Sequence, residues 1–330
     1  MIDTVAGGTL LCLCNTLLQP PKHPRSPFMQ IKGQQRSLEL PQFVRLAPAE
    51  IVPELGPLAR LVGTWTGRQG WNLIAVPTPR SKPEGFTLLI RPYYETITFT
   101  PLGVMVPDRG ASEILNINGL EYSLKVSDLV TNEPLHLENG MWLYAPDPQD
   151  PNAPTIVRQA AIPHGNSVLA LGNSQQFDGP PTIAELNTLP VGSPDPPRLG
   201  YTDVYLHPEL PQVPGLPPFS TADANAVLRT AIEGQDILNT LTISVSTQPP
   251  SGGGGIVNIP FIQKNANATT FEAIFWIETV KNDATGETFD QLQYSQQTNL
   301  EFIKCGSGCS PDGSGLIVWP HVNVNTLVKQ

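Results

Sequence analysis

The chain has few charged side chains, and it lacks a long hydrophobic run. Charged residues make up 15% of its 330 residues, and the excess of acidic ones gives a net charge of -10. Nucleic acid and anionic membrane surfaces both attract basic faces, so this composition indicates neither as a partner. No run reaches the 18 apolar residues of a membrane helix, and Val5–Leu18 lacks the basic start of a signal peptide. We therefore expect a cytoplasmic protein.

The four cysteines are too few to staple a fold of this size. They form two close pairs, Cys12 with Cys14 and Cys305 with Cys309. Their spacing is a poor match to a zinc site, which leaves reduced thiols or a reversible Cys305–Cys309 disulfide as alternatives. The sequence also lacks a phosphate-binding loop, a serine-hydrolase elbow, a zinc-protease helix motif and a dinucleotide fingerprint.

Proline and glycine are plentiful and divide the chain into short segments. There are 36 prolines and 28 glycines, and apolar runs with a period of two lie between them, for example Tyr93–Thr100 and Phe271–Val280. About ten such segments occur without a parallel βαβ signature. Closure into a barrel removes the exposed edges of such a sheet. The sequence therefore predicts a mainly β fold, an antiparallel barrel of about ten strands that encloses a cavity.

The predicted barrel has additions at one end of the chain and in its middle. Residues 1–50 are rich in Pro, Gln and basic side chains and are expected to form an N-terminal arm. Residues 51–330 are expected to form a single barrel domain with a Pro-rich, partly helical insertion at about 172–240, which lids or flanks the sheet. We also expect a helix at 49–62 and a capping box from Ser220 and Asp223.

Three stretches resemble the nitrobindin family of haem-binding, ten-stranded barrels, which are related to the calycins (lipocalins and fatty-acid-binding proteins). Leu61–Gly67, around Trp65, is similar to the family's Gly-x-Trp-x-Gly strand. Thr131–Trp142 is similar to its Glu-Pro-x-His-x-Glu hairpin, and Pro320–Val324 lies where the family carries its haem-ligating histidine. The order along the chain also matches. Two features depart from the family pattern: Arg68 and Gln69 precede Gly70, and the central insertion is unmatched.

The resemblance implies a ferric haem b with His321 as the axial ligand and hence the metal-binding residue. Neutral imidazole is a standard axial ligand of haem. His164, between two predicted strands, would serve as a distal group or, alternatively, as a solvated turn residue. Trp65 is either a haem-pocket residue or a plug at the end of the barrel, and Trp319 lies two residues from His321 on the same predicted face. The cofactor-binding residues predicted in this way are His321, His164, Trp65, Trp319 and Thr64.

Other side chains receive weaker assignments. In the resembling family the position of His136 is part of the barrel wall and is not an iron ligand. Arg91, Arg109 and Arg158 are candidate partners for haem propionates. His23 and His207 are expected at the surface.

The resemblance also implies what a haem barrel of this kind would do. It would bind nitric oxide or detoxify peroxynitrite or peroxide; as an enzyme it would be a haem-dependent peroxynitrite isomerase or act like a peroxidase. The alternative is a haem-free carrier, or a cyclase-like barrel, for an apolar small molecule such as a fatty acid. An interaction protein that uses the Pro-rich insertion ranks last. A homodimer is left open.

Overall fold

The computed structural model describes residues 44–45, 47–78, 85–111, 113–192, 201–304 and 315–330. Most of the predicted arm and all four cysteines lie outside these residues.

The strands are β1 Val44–Arg45, β2 Gly63–Pro77, β3 Phe86–Pro101, β4 Val104–Arg109, β5 Ile114–Asp128, β6 Pro134–Tyr144, β7 Ile156–Ile162, β8 Asn166–Asp178, β9 Asp236–Ser246, β10 Gly255–Asn258, β11 Asn267–Lys281, β12 Thr288–Lys304 and β13 Leu316–Lys329. The helices are α1 Pro48–Glu54, a 3-10 helix Gly56–Leu61, α2 Asp203–Leu206, α3 Ala226–Ile232 and α4 Pro260–Asn265. In the described part of the chain, no helix is both long and apolar enough to span a membrane.

Ten strands close into an antiparallel barrel, which confirms the predicted fold class. The order is β5-β3-β2-β13-β12-β11-β9-β8-β7-β6, and pairing of β6 with β5 closes the ring. Strands β4 and β1 extend from β5 outside the ring, and β10 pairs with the part of β8 that β9 leaves uncovered. Closure pairs both edges of the ten-stranded sheet.

The interior of the barrel is formed by alternate residues of each strand. In β11, Phe271, Ala273, Phe275 and Ile277 belong to a buried cluster, which we call the barrel core. Because successive side chains of a strand point to opposite faces, this period of two is the sequence signal of the inner face. Aromatic members of the barrel core are Trp65, Tyr93, Phe99, Tyr122, Trp142, Phe271, Phe275 and Tyr294.

A second buried cluster, the outer core, lies on the opposite face of β2 and β13. Its members include Trp71, Leu73, Val322 and Val324 from the barrel wall. The segment 179–235, between β8 and β9, contributes Ile183, Tyr205, Phe219, Ala224, Val227 and Leu228. The middle of these strands is therefore covered on both faces, with Val322 and Val324 of β13 on the outer one.

A short helical segment closes one end of the barrel. Leu55, Leu58 and Leu61 are fully buried in the barrel core together with Trp65. The single helix expected at 49–62 is in fact two, because Gly56 takes a positive φ of 53° that an α-helix does not allow. We call this the closed end. The other end, where the turns at 129–133 and 163–165 lie, is the mouth.

A bulge in β2 accommodates the two residues that depart from the family pattern. The pairing of β2 with β3 shifts between Gly67 and Gly70, so Arg68 and Gln69 lie in the bulge. At Gly70 the ring of Tyr93 occupies the place that a Cβ atom would take. The glycine therefore lets Tyr93 reach the barrel core.

Some local expectations are wrong. Ser220 and Asp223 form no capping box, because α3 begins later and the Oδ1 of Asp223 accepts hydrogen bonds from the backbone N–H groups of Leu186 and Asn225. The short strand β4 carried no recognisable alternation. It exists because it pairs with the first residues of β5 outside the ring.

Candidate functional site

The inner face of the barrel is open to solvent near the mouth and sealed near the closed end. At the mouth the inward residues of three neighbouring strands are only partly buried: Asn72 in β2, Gln296 and Thr298 in β12, and His321 and Asn323 in β13. Toward the closed end the inward residues of β12 and β13 become fully buried: Leu292, Tyr294, Asn325 and Leu327. The accessible part of the interior is therefore the mouth, and its lining on these strands is polar.

His321 lies at this accessible level of β13. Register pairs it with Thr298 of β12, and Pro320 precedes it on the same strand. Its Nε2 atom lies 2.8 Å from the Oδ1 of Asn72, which also accepts a hydrogen bond of 2.9 Å from the Nδ2 of Asn323. Because Oδ1 accepts, Nε2 is assigned the proton and Nδ1 retains its lone pair.

The surroundings keep the His321 imidazole neutral. Burial, and to a lesser extent the charges that His136 and His164 carry when protonated, lower its pKa to about 3. A neutral imidazole is the form that binds a metal. His136 and His164 thus lie near enough to His321 to act on it electrostatically.

His136 and His164 form a pair at the mouth. His136 lies on β6 and is partly buried, while His164 lies in the exposed turn between β7 and β8. Their ring centroids are 5.7 Å apart. Burial of part of the ring and the charge of His136 both lower the pKa of His164. The structure thus brings together two of the predicted site residues, His321 and His164, and adds His136, which the sequence had assigned to the wall.

A buried ion pair lies behind His136. The Nε2 of His136 is 3.2 Å from the Oε2 of Glu138, and the Nη2 of Arg158 is 2.7 Å from its Oε1. The Tyr122 hydroxyl also donates to this oxygen. Although burial opposes ionisation, Arg158, His136 and Tyr122 together lower the pKa of Glu138 to about 2. Glu138 is therefore a buried carboxylate that stays ionised.

A second buried carboxyl group, Glu95, has no cation bonded to it. Its Oε2 accepts hydrogen bonds from the Tyr294 hydroxyl at 2.7 Å and from Asn325 at 2.9 Å, and Tyr294 also contacts the hydroxyl of Tyr93 at 2.8 Å. Burial raises the pKa of Glu95 to about 7. Glu138 is therefore ionised at neutral pH, whereas Glu95, which has no arginine partner among the described residues, is only partly ionised.

Three predicted site residues lie elsewhere. Register places Trp65 opposite Lys329, eight residues along β13 from His321 (321 to 329), and Thr64 contacts Thr98 at 3.0 Å. Trp65 donates to the carbonyl of Leu61 at the closed end. Trp319 belongs to the outer core, where it packs on Phe86, Tyr201 and Phe302. The structure does not bring these three residues to the mouth with His321.

The candidate propionate partners are also separated. Arg158 is buried and engaged by Glu138, and Arg91 is partly exposed and lies 4.0 Å from Asp128. Arg109 is exposed on β4, outside the ring. Sequence reasoning missed Asn72 and Glu138. The His136-x-Glu138 spacing was a usable signal for the second, because residues i and i+2 of a strand share a face.

The donor set at the mouth fits one axial bond to haem iron. His321 offers a neutral ring nitrogen at an accessible level, and Asn72 holds the other nitrogen, as partners of metal-ligating histidines usually do. Among the described residues, no group of three or more His, Cys, Asp or Glu side chains is arranged to hold a metal ion. A single axial histidine needs no such group, since the porphyrin supplies the other ligands.

Two concave surfaces lie outside the barrel interior. A groove of about 650 Å³ runs between β3 and the segment 204–211, lined by residues such as Leu88 and His207. A shallower depression of about 410 Å³ lies over β6, β7, β8 and β10 and is mainly apolar, with Met141, Leu169 and Val257 in its lining. Neither surface contains His321, His136 or Glu138, whose convergence therefore defines a separate site.

Comparison with known proteins supports the resemblance drawn from the sequence. Residues 54–188 match the family model described as "THAP4-like, heme-binding beta-barrel domain", which confirms the likeness to the nitrobindin family over those residues. The match includes Asn72, His136, Glu138, Arg158 and His164, whereas His321 lies beyond it. No curated protein matches the sequence.

Several solved structures resemble the chain. One of them, the crystal structure of Rv2717c from M. tuberculosis, is 15% identical and covers 87% of this chain and 99% of its own, with a TM-score of 0.39. A likeness at this level carries no argument about function.

Proposed function

We propose that this chain, whose residues 54–188 match a haem-binding β-barrel family, holds a ferric haem b at its mouth with His321 as the axial ligand. The observation that carries the proposal is the state of His321. Its imidazole is neutral, partly accessible and oriented by Asn72, and two other histidines lie near enough to act on it electrostatically. The assigned hydrogen bond engages Nε2, and a ring nitrogen without a proton, here Nδ1, is the form that binds a metal.

Different residues of this chain would bind the haem, orient its axial ligand and line the space for small molecules. His321 supplies the axial nitrogen, and Asn72 fixes the direction of its ring. His136 and His164 lie close enough to act on His321 electrostatically, and we propose that they line the other side of the ligand space. When bound, haem supplies the iron that binds nitric oxide or reacts with peroxynitrite or peroxide. Trp65 and Thr64 would contribute to the stability of the closed end, and Trp319 to the outer core.

The inward position of His321 and the placement of segment 179–235 favour haem over the haem-free alternative. A carrier of a fatty acid needs a long apolar cavity, with few polar groups that fix the ligand. At the level of His321 the neighbouring inward side chains on β2, β12 and β13 are polar and partly buried: Asn72, Gln296, Thr298 and Asn323. Segment 179–235 packs on the outer face and supplies no described member of the barrel core.

Haemin titration followed by absorbance tests the binding proposal. The purified protein should develop a Soret band that saturates at one haemin per chain. The His321→Ala variant should lose at least about tenfold in affinity, the loss that corresponds to 1.4 kcal/mol. His207→Ala, in the segment outside the barrel core, is the matched control and should behave like the wild type. Saturable binding unaffected by His321→Ala would contradict axial ligation by this residue.

A second part of the proposal concerns the small molecules that react with the haem iron. With haem bound, addition of nitric oxide should shift the Soret band, and the loaded protein should accelerate the decay of peroxynitrite over free buffer in a stopped-flow measurement. A loaded protein whose spectrum does not respond to nitric oxide and that leaves peroxynitrite decay unchanged would contradict this part and leave haem binding intact.

A further inference from the structure

We infer that His136 is the proton-accepting group of the mouth and that Glu138, itself held by Arg158, is the residue that positions it. The contacts of Glu138 carry this inference. Its Oε2 faces the Nε2 of His136 at 3.2 Å, and its Oε1 receives the Nη2 of Arg158 at 2.7 Å. Because a carboxylate only accepts, Nε2 of His136 carries the proton and donates it, which leaves Nδ1 as the nitrogen available to a ligand.

The carboxylate cannot turn away from His136, because its other partners are fixed. The Arg158 guanidinium lies 4.9 to 5.8 Å from the centroids of four aromatic rings: Tyr122, Trp142, Phe271 and Phe275. Its Nη1 donates to the Oε1 of Gln296 at 3.0 Å. The side chains of Arg158 and Glu138 are each 2% exposed. An aromatic layer thus fixes the arginine, the arginine fixes the carboxylate, and the carboxylate fixes the tautomer of His136.

His136 itself remains within reach of a ligand. Its side chain is 24% exposed, in contrast to the buried pair behind it, and its ring faces that of His164. The ionisable groups that act on this region come from every side: Glu138 on its own strand, Arg158 on β7, Tyr122 on β5, Glu95 on β3, His164 in the β7–β8 turn and His321 on β13. Among these described groups, Glu138 is the one that is hydrogen-bonded to His136.

The chemistry that follows is the deprotonation of a weak-acid ligand. A ligand HX that enters the mouth, such as hydrogen cyanide or peroxynitrous acid, gives its proton to Nδ1 of His136 and remains as the anion X⁻. The resulting imidazolium then releases this proton to solvent, which restores the neutral ring. Charge and atoms therefore balance. A positioned base contributes about a hundredfold or more to such a step. The inference deepens the proposed function, because the anion X⁻ is the form that binds ferric iron.

The positioning is tested first on the haem-free protein. Long-range ¹H–¹⁵N correlation spectra should show His136 with its proton on Nε2 in the wild type and as a mixture of tautomers in Glu138→Gln. Glu278→Gln, which alters another fully buried glutamate on β11, is the matched control and should leave His136 unchanged. A wild-type spectrum with the proton on Nδ1, or one unaffected by Glu138→Gln, overturns the positioning whether or not the protein binds haem.

The proton-accepting role is tested on haemin-loaded protein with cyanide as the probe. At pH 7, His136→Gln should slow cyanide association about tenfold to a hundredfold, and Glu138→Gln about tenfold. His207→Gln should have no effect. If Glu138→Gln does not fold because Arg158 loses its partner, the double variant Glu138→Gln/Arg158→Gln, which leaves no unpaired buried charge, replaces it. Cyanide association that is equally fast in His136→Gln overturns the inference while haem binding by His321 stands.

Discussion

Arg158 and Glu138 form an ion pair across the barrel wall, with Nη2 of the arginine 2.7 Å from Oε1 of the carboxylate and each side chain 2% exposed. Removal of one partner leaves the other charge buried without compensation. Arg158→Met should therefore reduce the free energy of unfolding by about 3–5 kcal/mol. The double variant Arg158→Met/Glu138→Met should recover most of this loss.

Urea denaturation of the wild type, the single variants Arg158→Met and Glu138→Met, and the double variant measures the effect. Each single variant should lose more free energy of unfolding than the double variant, and the coupling energy between Arg158 and Glu138 should be favourable. If Arg158→Met alone loses less than about 1 kcal/mol, the value typical of an exposed pair, then the two charges are solvated.

The raised pKa of Glu95 predicts that the free energy of unfolding depends on pH. Its pKa is raised to about 7 in the folded protein, from an ordinary value of 4.5, chiefly by burial. The folded state therefore keeps a proton that the unfolded chain releases, and stability is lost as the pH rises from about 4.5 to about 7. Glu95→Gln should match the wild type at pH 4 and exceed it by up to about 3 kcal/mol at pH 8.

Thermal or urea unfolding at several pH values checks this difference. Glu278, whose pKa burial also raises to about 7, contributes in the same direction, so Glu278→Gln should remove the remaining slope over this window. A Glu95→Gln variant whose advantage over the wild type is the same at pH 4 and pH 8 would show that the pKa of Glu95 is not raised in the folded protein.

His321 should stay neutral over the whole physiological range. Burial and the charges of two histidines lower its pKa to about 3. In haem-free protein its Cε1–H resonance should not move between pH 5 and pH 8. The same resonance should titrate near 6.5 in protein unfolded by urea. A folded-state midpoint between 6 and 7 would mean that the ring is solvated and that folding does not lower its pKa.

Trp65 tests the separation of the two ends of the barrel. About eight residues of strand, or roughly 26 Å, lie between its level and that of His321. Trp65→Phe removes the hydrogen bond to Leu61 and part of the packing at the closed end, so stability should fall by about 1–3 kcal/mol. Affinity for haemin should be unchanged. A weaker Soret band in a folded Trp65→Phe protein would place the cofactor deeper in the barrel than His321 indicates.

The sequence contained the signals for the barrel and for His321, because both depend on local patterns. Alternation in segments such as Phe271–Val280 gives the inner face of a strand directly. A histidine after a proline in the terminal strand stands out among only five histidines. His136 and Glu138, two residues apart, could also be assigned to one face.

Other features depend on register, which the sequence does not give. Asn72 meets His321 only because Val322 pairs with Leu73 across β13 and β2. Regular alternation would place Trp319 on the same face as His321. Trp319 instead belongs to the outer core, at a level where β13 no longer pairs with β2 and Val318 pairs with Val191. Likewise, no local pattern indicates that Arg158 is enclosed by four aromatic rings from three separate strands.

Imidazole rescue is the most direct test of axial ligation. His321→Gly removes the side chain and leaves space for free imidazole at the same position. The account predicts that this variant binds haemin weakly, and that added imidazole restores the wild-type Soret maximum and affinity, whereas it changes little in the wild type. A His321→Gly protein that shows the wild-type haem spectrum without imidazole would contradict the account.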